Sequence, residues 1–190
     1  MRLWHKDFIS VLPKEQLVSQ WRELSAIAGA INKNGTLNHL LVNFILDYDY
    51  DHFISYAYYL RQEMTKRGYR TMNSVWDKII SLKSEFNLLP IEEVYSEKMN
   101  FNYLTICYYN LYEKYLCGGI KEEDWDKIRE VNTMNEDTKK ILNDIKKYII
   151  EGEHSSYDLF KSENKFLAGK LAAYNDVYDY IKYRIEGDYE

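Results

Sequence analysis

Side chains able to do or assist chemistry crowd the start of the sequence, where Arg2, Trp4 and His5 lie within MRLWHKDFISVLPKEQLVSQWREL. Chain termini are ordinarily frayed and solvated. A guanidinium, an indole and an imidazole so close together point instead to a terminus docked on the body of the protein, and such a terminus carries an α-amine that could itself react. Glu23 follows not far along. On a helical wheel Trp21, Leu24 and Ala28 share one stripe, while Gln16, Ser19, Glu23, Ala26 and Ala30 fall on a neighbouring stripe of small residues around a single acid. Small neighbours let backbone or ligand approach closely, which would put Glu23 on the floor of a shallow cleft. The plainer alternative is an exposed glutamate beside Arg22, and periodicity alone favours it.

Holding these groups requires elements, and the composition favours helices. Hydrophobic residues make up 46% of the 190, and only two prolines and eight glycines interrupt them, so long helices are expected over a turn-rich β protein. Pro13 suits a first helical turn because it has no amide proton to leave unpaired. Behind it Leu17, Trp21, Leu24, Ala28 and Ile31 recur at three and four, up to the Asn32-Lys33-Asn34-Gly35 stop. Phe53, Tyr56, Ala57, Leu60 and Met64 mark a second helix ended by Gly68, with Lys66 and Arg67 in its last turn. Val75, Trp76, Ile79, Ile80 and Leu82 suggest a shorter one, and residues 87–100 read as loop around Pro90. Tyr103 to Leu116 is helical again, stopped by Gly118-Gly119, and Trp125, Ile128 and Val131 mark another short helix. In the last third, Ile141, Leu142, Ile145, Tyr148 and Ile149 form one stripe; Gly152 ends it, Ser155 or Ser156 caps the next, and Phe160 through Ile185 form another. The expected fold is all-α, with a helical domain over 1–133 and a C-terminal helical hairpin over 134–190.

Several chemistries lack their residues. The sequence has no glycine-rich phosphate loop, no paired-cysteine zinc ligands, no His-Glu-x-x-His helix and no Gly-x-Ser-x-Gly elbow. With His5, His39, His52 and His154 scattered, neither a metal nor another cofactor is expected. Asp47, Asp49 and Asp51 alternate like the start of a calcium loop, but no glycine stands sixth and the twelfth residue is Tyr58, so these acids are expected to cap the following helix. Cys107 and Cys117 have neither disulfide-framework nor zinc spacing and are expected to be reduced structural thiols. No apolar run approaches the roughly 18 to 20 residues of a membrane span, and the start has no signal-peptide pattern, so a soluble cytoplasmic protein is expected.

The net charge of -5 is unevenly spread: residues 1–72 carry nine Lys/Arg against seven Asp/Glu, and everything beyond is net acidic. A polyanion would therefore meet the first segment, and a chain with a pI near 5.5 would bind duplex modestly and with strong salt dependence. The nineteen tyrosines suit half-buried helix packing first and stacking on bases second.

Five segments occur in an order that resembles the pyrimidine dimer DNA glycosylase (endonuclease V-like) family, in its bacterial branch beginning Met-Arg-Leu-Trp-His. They are Met1-Arg2-Leu3-Trp4-His5, Gln20-Trp21-Arg22-Glu23-Leu24, Asn38-His39 leading into Val42-Asn43-Phe44, Glu63 through Tyr69, and Asn110-Leu111-Tyr112-Glu113-Lys114. The resemblance spans roughly residues 1–130. It implies a compact helical glycosylase and abasic-site lyase in which the first residue's α-amine attacks the sugar C1′ of a damaged nucleotide, forms an imine, and cuts the strand by β-elimination. Arg2 is too large a second residue for the initiator methionine to be removed, so the amine is that of Met1, with Glu23 as the family's carboxylate. Arg2, Arg22, His39 and Lys114 match positions that line the site or hold phosphates, and Lys66, Arg67 and Arg70 are weaker DNA-binding candidates. The implied partner is damaged duplex DNA, with no membrane. Two other readings stay open: a non-catalytic nucleotide or nucleic-acid binding protein on the same scaffold, and a helical interaction module whose C-terminal hairpin docks a partner or a second copy.

Overall fold

Helix α1 (Lys14–Asn34) begins where Pro13, at φ -56°, directs the chain into its first turn, one residue before the helix proper. It stops at Gly35, whose φ of 64° lies in the left-handed region and whose N–H reaches back to Ile31 O at 2.8 Å. Between these ends Leu17, Trp21, Leu24, Ala28 and Ile31 are all buried, joined by Ile27 and Gln20. Side chains of Leu or Ile size stabilise by roughly 1.5–3 kcal/mol each when fully buried. Packing of this one face, more than intrinsic propensity, therefore fixes the helix.

The computed structural model describes residues 1–39, 41–116 and 118–131. Helix α2 (Tyr50–Lys66) starts at Asp49, whose carboxylate accepts the Asp51 N–H at 2.8 Å, the capping role its alternating acids suggest. Both acids also grip Lys83, Asp49 at 2.6 Å and Asp51 at 2.9 Å, which ties the loop after α3 (Asn73–Ile80) to the start of α2. Hydrogen bonding to Lys83 holds the Asp49 carboxyl below the usual carboxylate range. Gly68, at φ 73°, turns the chain after α2 while the Tyr69 N–H closes on Met64 O at 2.8 Å. Helix α1 packs against both α2 and α3; the stem of Lys78 passes where a side chain at Gly29 would stand, and its ammonium donates to Ser25 Oγ at 3.1 Å.

Helix α3 ends at Ile80, before the expected Leu82, and residues 81–99 carry no regular helix, a stretch that includes the loop expected around Pro90. Their anchor is Tyr95, fully buried at φ 49° and stacked on His52 with ring centroids 5.3 Å apart. Its N–H donates to His52 Nδ1 at 3.0 Å, and Phe44 and Tyr48 meet its ring edge-on. Burial drives the Tyr95 phenol far above its ordinary pKa, so it stays neutral.

The chain divides into two compact units, Met1–Met99 and Asn100–Glu190. In the second, α4 (Phe101–Leu116) and α5 (Glu122–Arg129) pack through Tyr108, Tyr112 and Tyr115 around Trp125, with centroids 5.1 to 5.3 Å away. Burial raises the Tyr108 and Tyr112 phenols to about 12. Cys107 is buried within α4. The expected helical hairpin over 134–190, its proposed role in homo-oligomerisation, the 133/134 boundary, His154 and Cys117 lie outside the described residues. Among the described residues there are five α-helices and no strand, an all-α architecture. None of these helices is long and apolar enough to cross a membrane.

Candidate active site

The first residues run antiparallel to α1 and are sewn to it by backbone donors. The Arg2 N–H points to Glu23 Oε2 at 3.3 Å, and the Trp4 N–H donates to Gln20 Oε1 at 2.9 Å. Alternate residues of an extended segment present their amides on one side, and residues three apart on a helix share a face, so the two periods meet in register. Tyr56 locks the arrangement from α2, its hydroxyl donating to Trp4 O at 2.8 Å. Leu3 and Trp4 are buried under this seam.

His5 completes the docking. Its buried Nε2 donates to Met99 O at 2.8 Å, while Nδ1 accepts the Asp7 N–H at 3.2 Å, which fixes a neutral tautomer. Burial lowers its pKa, with the Met99 bond opposing. Lys6 donates to the Glu92 and Val94 carbonyls, so the segment is held on its far side too. The aromatic and basic residues at the chain start are therefore a clasp, and what they hold in place is the α-amine.

That amine lies 3.1 Å from His39 Nε2. His39 comes from the loop after α1, where Val42 and Asn43 back-bond to its carbonyl and the Asn43 side chain accepts its N–H at 3.0 Å. Burial lowers the imidazole pKa first and the Met1 ammonium second, while Glu23 opposes them. One half-buried corner thus gathers an amine, an imidazole and a carboxylate. Arg2 sits at the same corner, its guanidinium 6.0 Å from the Trp4 ring, with Nη1 buried and unpartnered among the described residues.

The remaining candidates divide. Arg22 and Arg70 come together elsewhere, at an apolar cleft of ≈ 560 Å³ lined also by Trp21, Met64, Met72 and Val75. Lys66 is 76% exposed and meets Glu63 at 3.5 Å. Arg67, a weaker DNA-binding candidate, is engaged within the fold. Its fork is spent on Glu63 at 2.7 Å and on the Leu12 and Ser10 carbonyls at 2.6 and 2.7 Å, clamping the entry to α1. His39, one of the residues the resemblance places at the site, does line the corner at Met1, and burial lowers its pKa below the ordinary imidazole value. Lys114 is exposed on α4 in the second unit.

Gln20, Tyr56 and Asn43 were not singled out as site residues in the sequence, yet they position the corner. A signal for Gln20 existed, since it stands one helical turn before Glu23 and so shares its side of α1. Among the described residues no group of His, Cys, Asp or Glu is arranged to hold a metal ion. What the corner can do chemically is nucleophilic: an amine, a neutral proton acceptor and a fixed negative charge. No curated protein and no solved structure matches the chain. Residues 1–77, the stretch that contributes Met1, Arg2, Glu23 and His39, match the pyrimidine dimer DNA glycosylase family model, in agreement with the family the ordered motifs resemble.

Proposed function

We propose that the protein is a DNA repair glycosylase and abasic-site lyase that acts on pyrimidine-dimer damage through an imine formed by the Met1 α-amine. The family match supports a repair function of the pyrimidine dimer glycosylase type. The observation that carries the chemistry is the docked terminus, with Met1 N at His39 Nε2 and the next backbone amide on Glu23.

An α-amine has an ordinary pKa of roughly 7.7 to 8.0, well below that of lysine, so a useful fraction is unprotonated near neutrality. Its lone pair forms a bond to C1′ while the electrons of the glycosidic bond leave with the base, which takes a proton from water. Positive charge gathers on the sugar during this step, and the Glu23 carboxylate offsets it. Once the nitrogen has shed a proton, its lone pair forms the second bond to C1′ as the C1′–O4′ bond breaks, O4′ takes a proton, and the opened sugar is held as the imine. Removal of a C2′ proton then expels the 3′ phosphate, and Glu23 is the carboxylate available to move that proton.

Incubation with abasic or dimer-containing DNA and borohydride at low salt should reduce the imine to a stable covalent adduct. No adduct from protein whose Met1 amine is shown by mass spectrometry to be uncapped would overturn the reading. The acidic balance of the whole chain favours one alternative, a binder without turnover. It would show DNA affinity, unaffected by Glu23→Gln, and never an adduct.

A further inference from the structure

Building on the imine reading above, we infer that His39 is the general base of this site, taking through Nε2 the proton that the Met1 nitrogen releases as it bonds to C1′. The two nitrogens are 3.1 Å apart, within direct reach for proton transfer. An amine or ammonium turns N–H toward its neighbour, so the ring nitrogen facing it must present a lone pair, since two donors would repel. The ring proton then belongs on Nδ1, which is buried and has no partner among the described residues. This tautomer leaves Nε2 as an acceptor with a fixed direction, because the backbone on either side is pinned by Asn43.

The charged groups acting on the ring are the Met1 ammonium and Glu23. Burial and the ammonium keep His39 neutral at rest, which suits an acceptor. The fraction of Met1 present as free amine, its first proton given to solvent, is what attacks; as its lone pair becomes the N–C1′ bond, the nitrogen turns cationic and passes the second proton to Nε2. Positive charge then rests on an imidazolium that Glu23 stabilises, and solvent later collects the proton. At an abasic aldehyde the carbonyl π electrons go instead to oxygen, which is protonated by water, and the carbinolamine so formed loses that oxygen as water to give the imine.

The test is single-turnover borohydride trapping on abasic DNA from pH 5 to 9, comparing wild type with His39→Gln. Glutamine keeps an acceptor oxygen but cannot carry the proton away. The expected result is adduct formation slowed about 10²-fold at pH 7 and largely recovered toward the alkaline end of the series, where hydroxide takes the proton that the variant has no base to accept. A loss of equal size at every pH would mark a packing role and overturn the inference. A second arm needs no DNA: the His39 ring is titrated by NMR in the wild-type protein, before and after acetylation of the Met1 amine. Removing the ammonium charge should raise the ring midpoint, and an unmoved midpoint would overturn the inference. Wild type that forms no adduct fails the imine reading itself, whereas the NMR arm still decides whether amine and imidazole are coupled.

Discussion

Glu23 and Arg22 are neighbours in sequence, yet α1 turns them about 100° apart, onto surfaces of contrasting construction. The Glu23 side is a corner of short, directed hydrogen bonds, in which Gln20, Tyr56, Asn43 and His39 fix a chain terminus. The Arg22 side is an open cleft of Trp21, Met64, Met72 and Val75 with two guanidiniums among them. The first surface is organised for position and the second for attraction. A residue of the corner should therefore govern rate, and a residue of the cleft should govern affinity.

The largest expected effect is at Glu23. Glu23→Gln keeps the shape and an acceptor for the Arg2 amide but removes the charge, so the single-turnover trapping rate should fall by about 10² to 10⁴ while DNA affinity by titration changes little. A matching collapse in affinity would erase the contrast between the surfaces. Next is Gln20→Ala, which strands the buried Trp4 N–H and lowers stability by about 1–3 kcal/mol in chemical denaturation. Because it frees the terminus, it should slow trapping as well; a stable variant with wild-type trapping would show that docking is irrelevant to rate. Tyr56→Phe removes only the hydroxyl and should cost about 1 kcal/mol by the same measurement.

These residues also show where sequence reasoning reaches and where it stops. The ends of α1 were legible because Pro13 and Gly35 act through their own backbone constraints, and the start of α2 because Asp49 caps within two residues. Partners dispersed along the chain were not. Arg67 reads as one more surface cation, and only the fold brings the Ser10 and Leu12 carbonyls to its fork. His39 likewise depends on a loop returning to the terminus, an approach across 38 residues that no periodicity encodes. Glu23 was ambiguous for a related reason, since a wheel separates faces but cannot say which receives the N-terminal segment.

Smaller effects sharpen the contrast. Replacing Arg22 and Arg70 together by Ala should weaken duplex binding across sequences and reduce the salt slope by about one for each phosphate that the variant leaves unneutralised, measured by titration at several salt concentrations. An unchanged slope would take the cleft out of DNA binding. The smallest expected effect belongs to His5. Its folded pKa lies below the unfolded value of about 6.5, so as pH falls through that value the unfolded chain takes up a proton the native ring resists. Stability should therefore decline from about pH 7 downward until the folded value is passed. His5→Asn should flatten that decline without abolishing it, because the His39 and His52 values are lowered in the same direction. Thermal melting at stepped pH reads this out.

Peptide mapping of the borohydride-reduced adduct by mass spectrometry addresses the central claim most directly, because it identifies the nitrogen that reacted. The expected result is a sugar remnant on the α-nitrogen of Met1, within the peptide ending at Arg2 or Lys6. A remnant on a lysine side chain, such as Lys6 Nζ or Lys66 Nζ, would contradict the account.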